Sequence, residues 1–292
     1  ILQNSSGANG KTLLMELMLK AFGQNEDGYG NKFNVAILLE SRASGAGAHP
    51  EMAKLRGKRF TYCEEPDENK PVNTGLLKEL TGGGSITTRA LYKDPITFEM
   101  QTKFMMCCND LPRINADDDG TWRRLKNVHF PSRFLHEDSE DYRAAIARGD
   151  ANIFKRDDTL KNRLEELKGT FMAILFSYYK EHVYKKNNIV VPREVLRASK
   201  DYQREQDVLR LWIEQNLELQ PESRLQIRKV YKKFSDQNRD MKNKYGHQKL
   251  YKKITDIYQR EIRSGEVVEV LRSFCIQGLG LKDNSGEEFG DI

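Results

Sequence analysis

The stretch Ser6-Gly7-Ala8-Asn9-Gly10-Lys11-Thr12 follows a short apolar stub, Ile1-Leu2, and precedes a run with helical spacing from Leu13 to Phe22. This order of strand, small-residue loop and helix is the context in which backbone N–H groups surround phosphate oxygens. In such a loop the lysine reaches the β and γ phosphates, and the hydroxyl after it ligates Mg²⁺. The residues predicted to bind the phosphates are Gly7, Asn9, Gly10, Lys11 and Thr12, with Thr12 also a ligand of the metal.

The tripeptide Gly10-Lys11-Thr12 also arises by chance in a chain with 21 Gly, 26 Lys and 26 Ser or Thr. Ser5 departs from the pattern, because such loops usually have their first Gly at this position. The strand and helix on either side favour phosphate binding over a chance match.

The composition indicates a folded protein with more than one domain, since 38% of its 292 residues are hydrophobic and 31% are charged. The most apolar stretches, Phe171 to Tyr179 and Phe104 to Cys108, are far shorter than the roughly 18 residues of a membrane span, which excludes a transmembrane role. The chain starts at Ile1 without Met or a charged leader, so we expect an upstream segment to be missing.

The cysteines form no C-x-x-C pair and lie near no His cluster, which argues against a disulfide framework or a zinc site. We therefore expect an intracellular, reducing compartment. The four are Cys63, Cys107, Cys108 and Cys275.

The chain divides into three segments with different patterns of apolar and turn residues, and these predict the domain organisation. Residues 1–135 alternate apolar runs with Gly-rich turns and predict an α/β sheet domain. In residues 136–187 the strand signals vanish after Asp138 and a helical subdomain or linker is predicted, with a break at Asn187-Asn188. Residues 188–292 predict a small winged-helix-like domain. The predicted helices are Leu13–Phe22, one from Leu160 to Tyr178, one carrying Val195, Leu209, Trp212, Ile213 and Leu217, then Leu225–Phe234 and Gln248–Ile262; the predicted strands are Phe60–Cys63, Lys103–Cys108, Val128–Phe130, Val267–Leu271 and Ser273–Leu281.

Polar residues directly follow two of the predicted strands. Glu64 and Glu65 follow the first, where one carboxylate can hold the hydration shell of Mg²⁺ and the other can orient and deprotonate the attacking water. Asn109 follows the second, and its neutral amide can hydrogen-bond the γ phosphate or that water without repelling phosphate. The alternatives are a solvated acidic turn and an ordinary Asn-Asp turn.

Adjacent arginines, Arg123 and Arg124, follow an acidic loop. They suit two roles: surface salt-bridge partners, or an arginine finger that neutralises transition-state charge in the nucleotide site of a neighbouring subunit. Sequence spacing does not separate these roles.

Between the acids and Asn109, Ile86–Leu91 and Ile96–Phe98 predict the arms of a hairpin with Lys93 near its turn. A lysine at a hairpin tip suits contact with a phosphodiester backbone. The alternative is an ordinary solvated lysine.

Together these residues resemble superfamily 3 helicases, and most closely the primase-helicases of the poxvirus-like, giant-virus and phage type. The order of the motifs is more specific than any one of them, with 98 positions between Lys11 and Asn109, and the resemblance covers residues 1–135. The stretches that carry it are Ser6–Thr12, the strand ending Glu64-Glu65-Pro66, Lys78–Lys93, and Phe104–Pro112 followed by Thr121–Phe130.

The resemblance implies a P-loop, AAA+-like ATPase domain, N-terminally truncated here, that uses ATP and Mg²⁺ and assembles as a hexameric ring around one DNA strand. It implies the host cytoplasm or a viral replication site as the location. Ser5 and Gly84 depart from the family pattern, since relatives commonly have Gly and Asp there. The roles implied are Lys11 and Thr12 for ATP and Mg²⁺, Glu64 and Glu65 as the acidic pair, Asn109 as the sensor, Arg124 rather than Arg123 as the finger, and Lys93, Arg89 and Lys78 as DNA contacts.

The C-terminal part resembles, more loosely, the helical and winged-helix tail of the same viral proteins. Between Arg228 and Arg263 there are 12 Lys or Arg and 4 Asp or Glu, which favours a polyanionic partner. The alternative is a solvated helical face over a core. The residues in question are Lys229, Lys232, Lys233, Lys249, Lys252 and Lys253, interleaved with Tyr231, Phe234, Tyr245, Tyr251 and Tyr258.

The sequence therefore predicts an ATP-driven DNA helicase in viral or phage replication, the helicase half of a primase-helicase whose primase precedes Ile1. Two other classes stay open: a P-loop kinase that phosphorylates a small acceptor, and a nucleic-acid-binding or initiator module with an inert nucleotide site.

Overall fold

The computed structural model describes residues 1–4, 7–39, 49–67, 70–116, 118–185, 189–239, 245–261, 270–271 and 275–282. They form two compact units, Ile1–Gln203 and Arg204–Ile292. Within the described ranges, every helix is too short or too polar to cross a lipid bilayer.

The first unit is built on a five-stranded parallel sheet in the order β2-β3-β6-β1-β7, which confirms the predicted α/β sheet. Its strands and the helices between them are β1 Leu2–Gln3, α1 Lys11–Phe22, β2 Gly30–Lys32, α2 Ala36–Leu39, α3 Pro50–Ala53, β3 Phe60–Glu64, α4 Thr74–Thr81, β4 Ser85–Thr88, β5 Ile96–Glu99, β6 Lys103–Cys108, α5 Asp119–Trp122 and β7 Val128–His129.

Helices cover both faces of this sheet. Phe60 and Tyr62 of β3 pack with Met15 and Leu19 of α1 in one core cluster. Cys63 lies on the opposite face of the same strand and belongs to a second cluster that includes residues of α4. Because both faces of a parallel sheet are covered, β3 and β6 are nearly continuous apolar runs, which is why the sequence predicts them.

Strands β4 and β5 form a hairpin that is a separate two-stranded sheet, with Ser85 opposite Glu99 and Thr88 opposite Ile96. The predicted first arm, which extends to Leu91, is too long, because the strand ends at Thr88.

The segment after β7 contains β8 Arg133–Leu135, α6 Glu140–Arg148, β9 Ile153–Lys155, a 3₁₀ turn Leu160–Arg163, α7 Leu164–Tyr178 and a π-helical turn Tyr179–Tyr184. Helix α7 confirms the predicted helix. The expectation that strands are absent after Asp138 is wrong, because β9 pairs in parallel with β8. Three residues are too few to give a periodic pattern.

The next helix, α8 Arg193–Gln206, packs on the first unit through residues up to Tyr202. Asn127 N donates to Ser199 Oγ at 2.9 Å, and the buried Tyr202 hydroxyl donates to the carbonyl of Pro112. The units therefore divide at 203–204, after the predicted boundary at 187–188. Asn187 and Asn188 lie outside the described residues.

The second unit continues with α9 Val208–Asn216, β10 Leu217–Gln226, α10 Ile227–Gln237, α11 His247–Glu261, β11 Val270–Leu271 and β12 Cys275–Leu281. Its three strands are antiparallel in the order β10-β12-β11. One apolar cluster forms the core, and its members include Trp212, Ile213, Val230, Phe234, Ile254 and Ile276.

Two predicted helices in this region have the wrong limits. A single helix through Val195 and Leu217 is interrupted at Asp207, whose side chain caps α9 by accepting from Arg210 N at 3.0 Å. Leu225 belongs to β10, so the helix predicted from there begins at Ile227 instead. Of the predicted ribbon strands, residues 267–269 and 273–274 lie outside the described ranges.

Candidate nucleotide-binding site

The carboxyl ends of the parallel strands bring distant polar residues to one edge of the sheet. Glu64 lies opposite Cys107 in the strand register, and Gln3 lies opposite Cys108. Glu65 N donates to the carbonyl of Cys107 at 2.8 Å. Consequently, the loop after β1, the two acids at the end of β3 and Asn109 after β6 share this edge.

The loop between β1 and α1 has a backbone shaped by two left-handed residues. Ala8 has φ 58° and Gly10 has φ 79°, and α1 begins directly after Gly10. The left-handed region costs a non-Gly residue about 1 kcal/mol or more, a cost typical of functional loops. Gly7 and Ala8 are exposed and Asn9 is buried, with its Oδ1 accepting from Lys11 N at 3.4 Å. Ser5 and Ser6 lie outside the described residues.

Lys11 is the buried cation of this edge. Its side chain passes from the first turn of α1 to the sheet, where Nζ donates to the carbonyl of Asn4 at 3.3 Å and to Asn109 Oδ1 at 3.4 Å. Burial lowers the pKa of Lys11, and the nearby Cys108, Cys107 and Glu65 oppose that shift. A buried ammonium held by neutral oxygens is a site at which a phosphate is electrostatically favoured.

The two acids differ in surroundings. Glu64 is half-buried, and its Oε2 accepts from Lys32 Nζ at 2.5 Å. The hydrogen bond to Glu64 raises the pKa of Lys32. Glu65 is exposed and has φ 46°, a left-handed backbone that turns the chain out of the strand. Lys32 was missed by sequence reasoning, because a lysine in a three-residue strand carries no motif.

The donors available for Mg²⁺ are the exposed hydroxyl of Thr12 and the carboxylate of Glu64. Across the described part of the chain, no cluster of three or more His, Cys, Asp or Glu side chains is placed to hold a metal ion. Mg²⁺ is usually held by one or two carboxylates together with substrate phosphates, so this small donor set fits it.

The two arginines have different surroundings. Arg124 is half-buried, donates from Nη1 to the carbonyl of Gly120 at 2.5 Å and lines an apolar cavity beside Leu80 and Met106. Arg123 is the residue that follows α5, and it is exposed. Of the two, Arg123 is the one that a second molecule can reach.

Comparisons with known proteins give relatives from large DNA viruses. Residues 2–124 match a family described as "Family of unknown function (DUF5906)". The chain is 38% identical over 208 residues to "Putative helicase L207/L206" of Acanthamoeba polyphaga mimivirus, an alignment that covers 71% of this chain and 21% of that protein. This chain is a homologue of viral proteins named helicases and primases.

Two further relatives of this viral group carry such names. "Putative helicase 022R" of Frog virus 3 is 31% identical over 236 residues, covering 79% of the chain and 23% of the relative. "Putative primase C962R" of African swine fever virus (strain Badajoz 1971 Vero-adapted) is 32% identical over 130 residues, an alignment that covers 44% of this chain and 13% of that protein. The chain thus spans less than a quarter of the length of these relatives.

In this chain, the three basic residues predicted to contact DNA lie in different environments. Lys93 and Arg89 are exposed in the turn region between β4 and β5, next to Tyr92, whose side chain is fully exposed. Lys78 lies on α4, where its Nζ contacts Asp118 Oδ2 at 2.9 Å. This hydrogen bond lowers the pKa of Asp118. Lys93 and Arg89 are therefore exposed to solvent, and Lys78 contacts Asp118.

The basic part of the second unit divides into core and surface. The aromatic residues Phe234, Tyr245 and Tyr258 are buried in the apolar cluster, which confirms the alternative interpretation for them. Lys253 contacts the carboxylate of Asp207. The exposed lysines are Lys229 and Lys232 on α10 and Lys249 and Lys252 on α11.

Proposed function

We propose that this chain is the ATP-hydrolysing part of a superfamily 3 DNA replication helicase of a large virus, with a P-loop, AAA+-like nucleotide site. The observation that carries the proposal is the buried Lys11, whose Nζ lies 3.4 Å from Asn109 Oδ1 at the carboxyl edge of a parallel sheet. Homology to viral proteins named helicases supports the same role.

In the proposed reaction, water attacks the γ phosphate of ATP in line with the bond that breaks, and ADP and phosphate leave. The N–H groups of residues 7–12 and the ammonium of Lys11 bind the phosphates. Glu65, exposed at the sheet edge, orients the water and accepts its proton, and Asn109 hydrogen-bonds the γ phosphate. Thr12 and Glu64 would hold Mg²⁺, which would neutralise charge on the phosphates.

The proposed assembly is a hexameric ring in which each chain supplies an arginine to the site of its neighbour. Arg123 fits this role better than Arg124, because it is exposed and Arg124 is bonded to Gly120. Assignment of the finger therefore moves from Arg124, which the resemblance favours, to Arg123.

The proposed DNA contacts are of two kinds. The turn of the hairpin, with Lys93 and Arg89, is assigned to the strand inside the ring. The second unit follows the order helix, strand, two helices and two strands, with sheet order β10-β12-β11, which supports a winged-helix module. In that module α11 presents Lys249 and Lys252 to DNA. A primase elsewhere in the whole protein is part of the proposal, supported by the name of the swine fever relative.

Steady-state ATP hydrolysis with Mg²⁺, measured with and without single-stranded DNA over a range of protein concentrations, tests the proposal. We expect turnover that rises with DNA and steeply with concentration, and its loss in Lys11→Ala. Lys200→Ala, a change at an exposed lysine of α8, is the matched control.

Two results would contradict the helicase proposal. Salt-sensitive DNA binding without ATP binding would identify an inert binding module. Phosphoryl transfer to a small acceptor, with no stimulation by DNA, would identify a kinase.

A further inference from the structure

Two exposed aromatic rings lie beside the loop that precedes α1. Phe134 of β8 and Phe154 of β9 are directly opposite in the parallel strand pair. Their ring centroids are 5.7 Å apart and the ring planes differ by 29°, so they form a stacked pair. The exposed fraction is 37% for Phe134 and 48% for Phe154, which leaves both rings accessible to a ligand.

Phe134 links the aromatic pair to the loop before α1: its backbone N–H bonds to the loop, and its ring lies near Gly10. Phe134 N donates to the carbonyl of Ala8 at 2.7 Å. A Cβ added at Gly10 would lie 3.5 Å from Cε2 and 3.9 Å from Cδ2 of the Phe134 ring. The ring therefore occupies the space that a side chain at position 10, immediately before Lys11, would enter.

Strand geometry explains why the rings face outward together. Successive residues of a strand point to opposite faces, so Phe134 and Phe154 share one face and their neighbours share the other. The exposed, stacked rings lie next to the loop of residues 7–12, which is the proposed phosphate site. In a nucleotide only the ribose separates the base from the phosphates.

We propose that Phe134 and Phe154 form the surface on which the base of the bound nucleotide stacks. This inference rests on the proposed nucleotide site of residues 7–12 and adds a subsite to it. Stacking uses the face of a base, which every base has, so the surface suits a purine for its larger area and does not read its edge.

Binding of two probes separates base contacts from phosphate contacts. Isothermal titration calorimetry of the 292-residue chain with Mg²⁺ would compare adenylyl imidodiphosphate, which has base and phosphates, with inorganic tripolyphosphate, which has phosphates alone. The variants are Phe134→Leu, Phe154→Leu and the double variant, with Phe176→Leu at an exposed position of α7 as control. Leucine keeps an apolar side chain against the loop and removes the π face.

We expect each leucine to raise the Kd for the adenine nucleotide about tenfold and to leave the Kd for tripolyphosphate within twofold of wild type. The Phe176 control should change neither. Phe154→Leu is decisive should Phe134→Leu disturb the loop, because Phe154 does not contact Gly10. Thermal unfolding checks that each variant folds.

Three outcomes would overturn the inference. Equal weakening of both probes would mean that the rings support the loop, and unchanged binding of both would mean that the base lies elsewhere. In either case the wild-type protein still binds nucleotide and the proposed function stands. Failure of the wild-type chain to bind either probe would remove the nucleotide site and this subsite with it.

Discussion

The Lys11 ammonium donates to Asn109 Oδ1 over 3.4 Å, across 98 positions of sequence, so the loop after β1 and the end of β6 form one polar centre. The contact also fixes the orientation of the Asn109 amide, whose oxygen faces the ammonium and whose NH₂ group is left to face a substrate. In the proposed ATPase mechanism, the two residues act on the same γ phosphate.

Asn109→Ala should lower the rate of ATP hydrolysis about 100-fold, because one preorganised donor to the γ phosphate is lost. Binding of the nucleotide should change less than the rate, since Lys11 and the loop remain. The measurement is kcat alongside the Kd for adenylyl imidodiphosphate. Asn115→Ala, at an exposed position in the loop after β6, should behave as wild type. An unchanged kcat in Asn109→Ala would exclude a sensor role.

The surroundings of the two arginines predict different effects of their alanine substitutions: one on ATP turnover and the other on stability. Arg123→Ala should reduce ATP turnover by about 1,000-fold or more at protein concentrations that give assembly, because a finger is lost. Its melting temperature should stay near that of wild type, since Arg123 is exposed. Arg124→Ala should instead lower the melting temperature, because it removes the contact with Gly120 and leaves the apolar cavity without that side chain.

Mixing variants tests donation between subunits. A mixture of Arg123→Ala and Lys11→Ala chains should recover part of the turnover that neither has alone, because some interfaces then combine an intact site with an intact arginine. No recovery, in a mixture shown by size-exclusion chromatography to co-assemble, would count against a finger in trans.

Which parts of this molecule could be predicted depends on the length and burial of each element. Strands β3 and β6 are buried on both faces and read as apolar runs, and the parallel sheet then brings Glu65 and Asn109 to one edge. Strand β10 could not be predicted, because its sequence LELQPESRLQ is polar and contains Pro, and its buried residues include Leu217 and Leu225 near its two ends. The direction of Arg124 is a tertiary property and has no sequence signal.

Buried thiols should make stability fall at alkaline pH. Burial raises the pKa of Cys63 from its ordinary 9.0 to about 12, and likewise that of Cys107 to about 12. Above pH 9 the unfolded chain loses these protons and the folded chain keeps them, so each thiol lowers the free energy of unfolding by about 1.4 kcal/mol per pH unit. Below pH 9 the effect is absent.

Urea unfolding from pH 7 to pH 11 measures this dependence, with Cys63→Ala as the comparison. The variant and the wild type should have parallel stability curves up to about pH 8.5, and the wild type should then fall more steeply. Equal slopes above pH 9 would mean that the Cys63 thiol ionises in the folded protein.

The exposed lysines of α11 should determine how salt weakens DNA binding by the second unit. Each phosphate contact adds about 0.9 to the slope of log K against log salt for duplex DNA, so Lys249→Gln with Lys252→Gln should reduce that slope by about 1 to 2. Lys253→Gln is the matched control on the same helix, because its partner is Asp207. It should leave the slope unchanged and lower stability slightly. Fluorescence anisotropy with a 20-base-pair duplex measures the slopes, and an equal slope in the double variant and the wild type would assign α11 to a solvated face with no DNA contact.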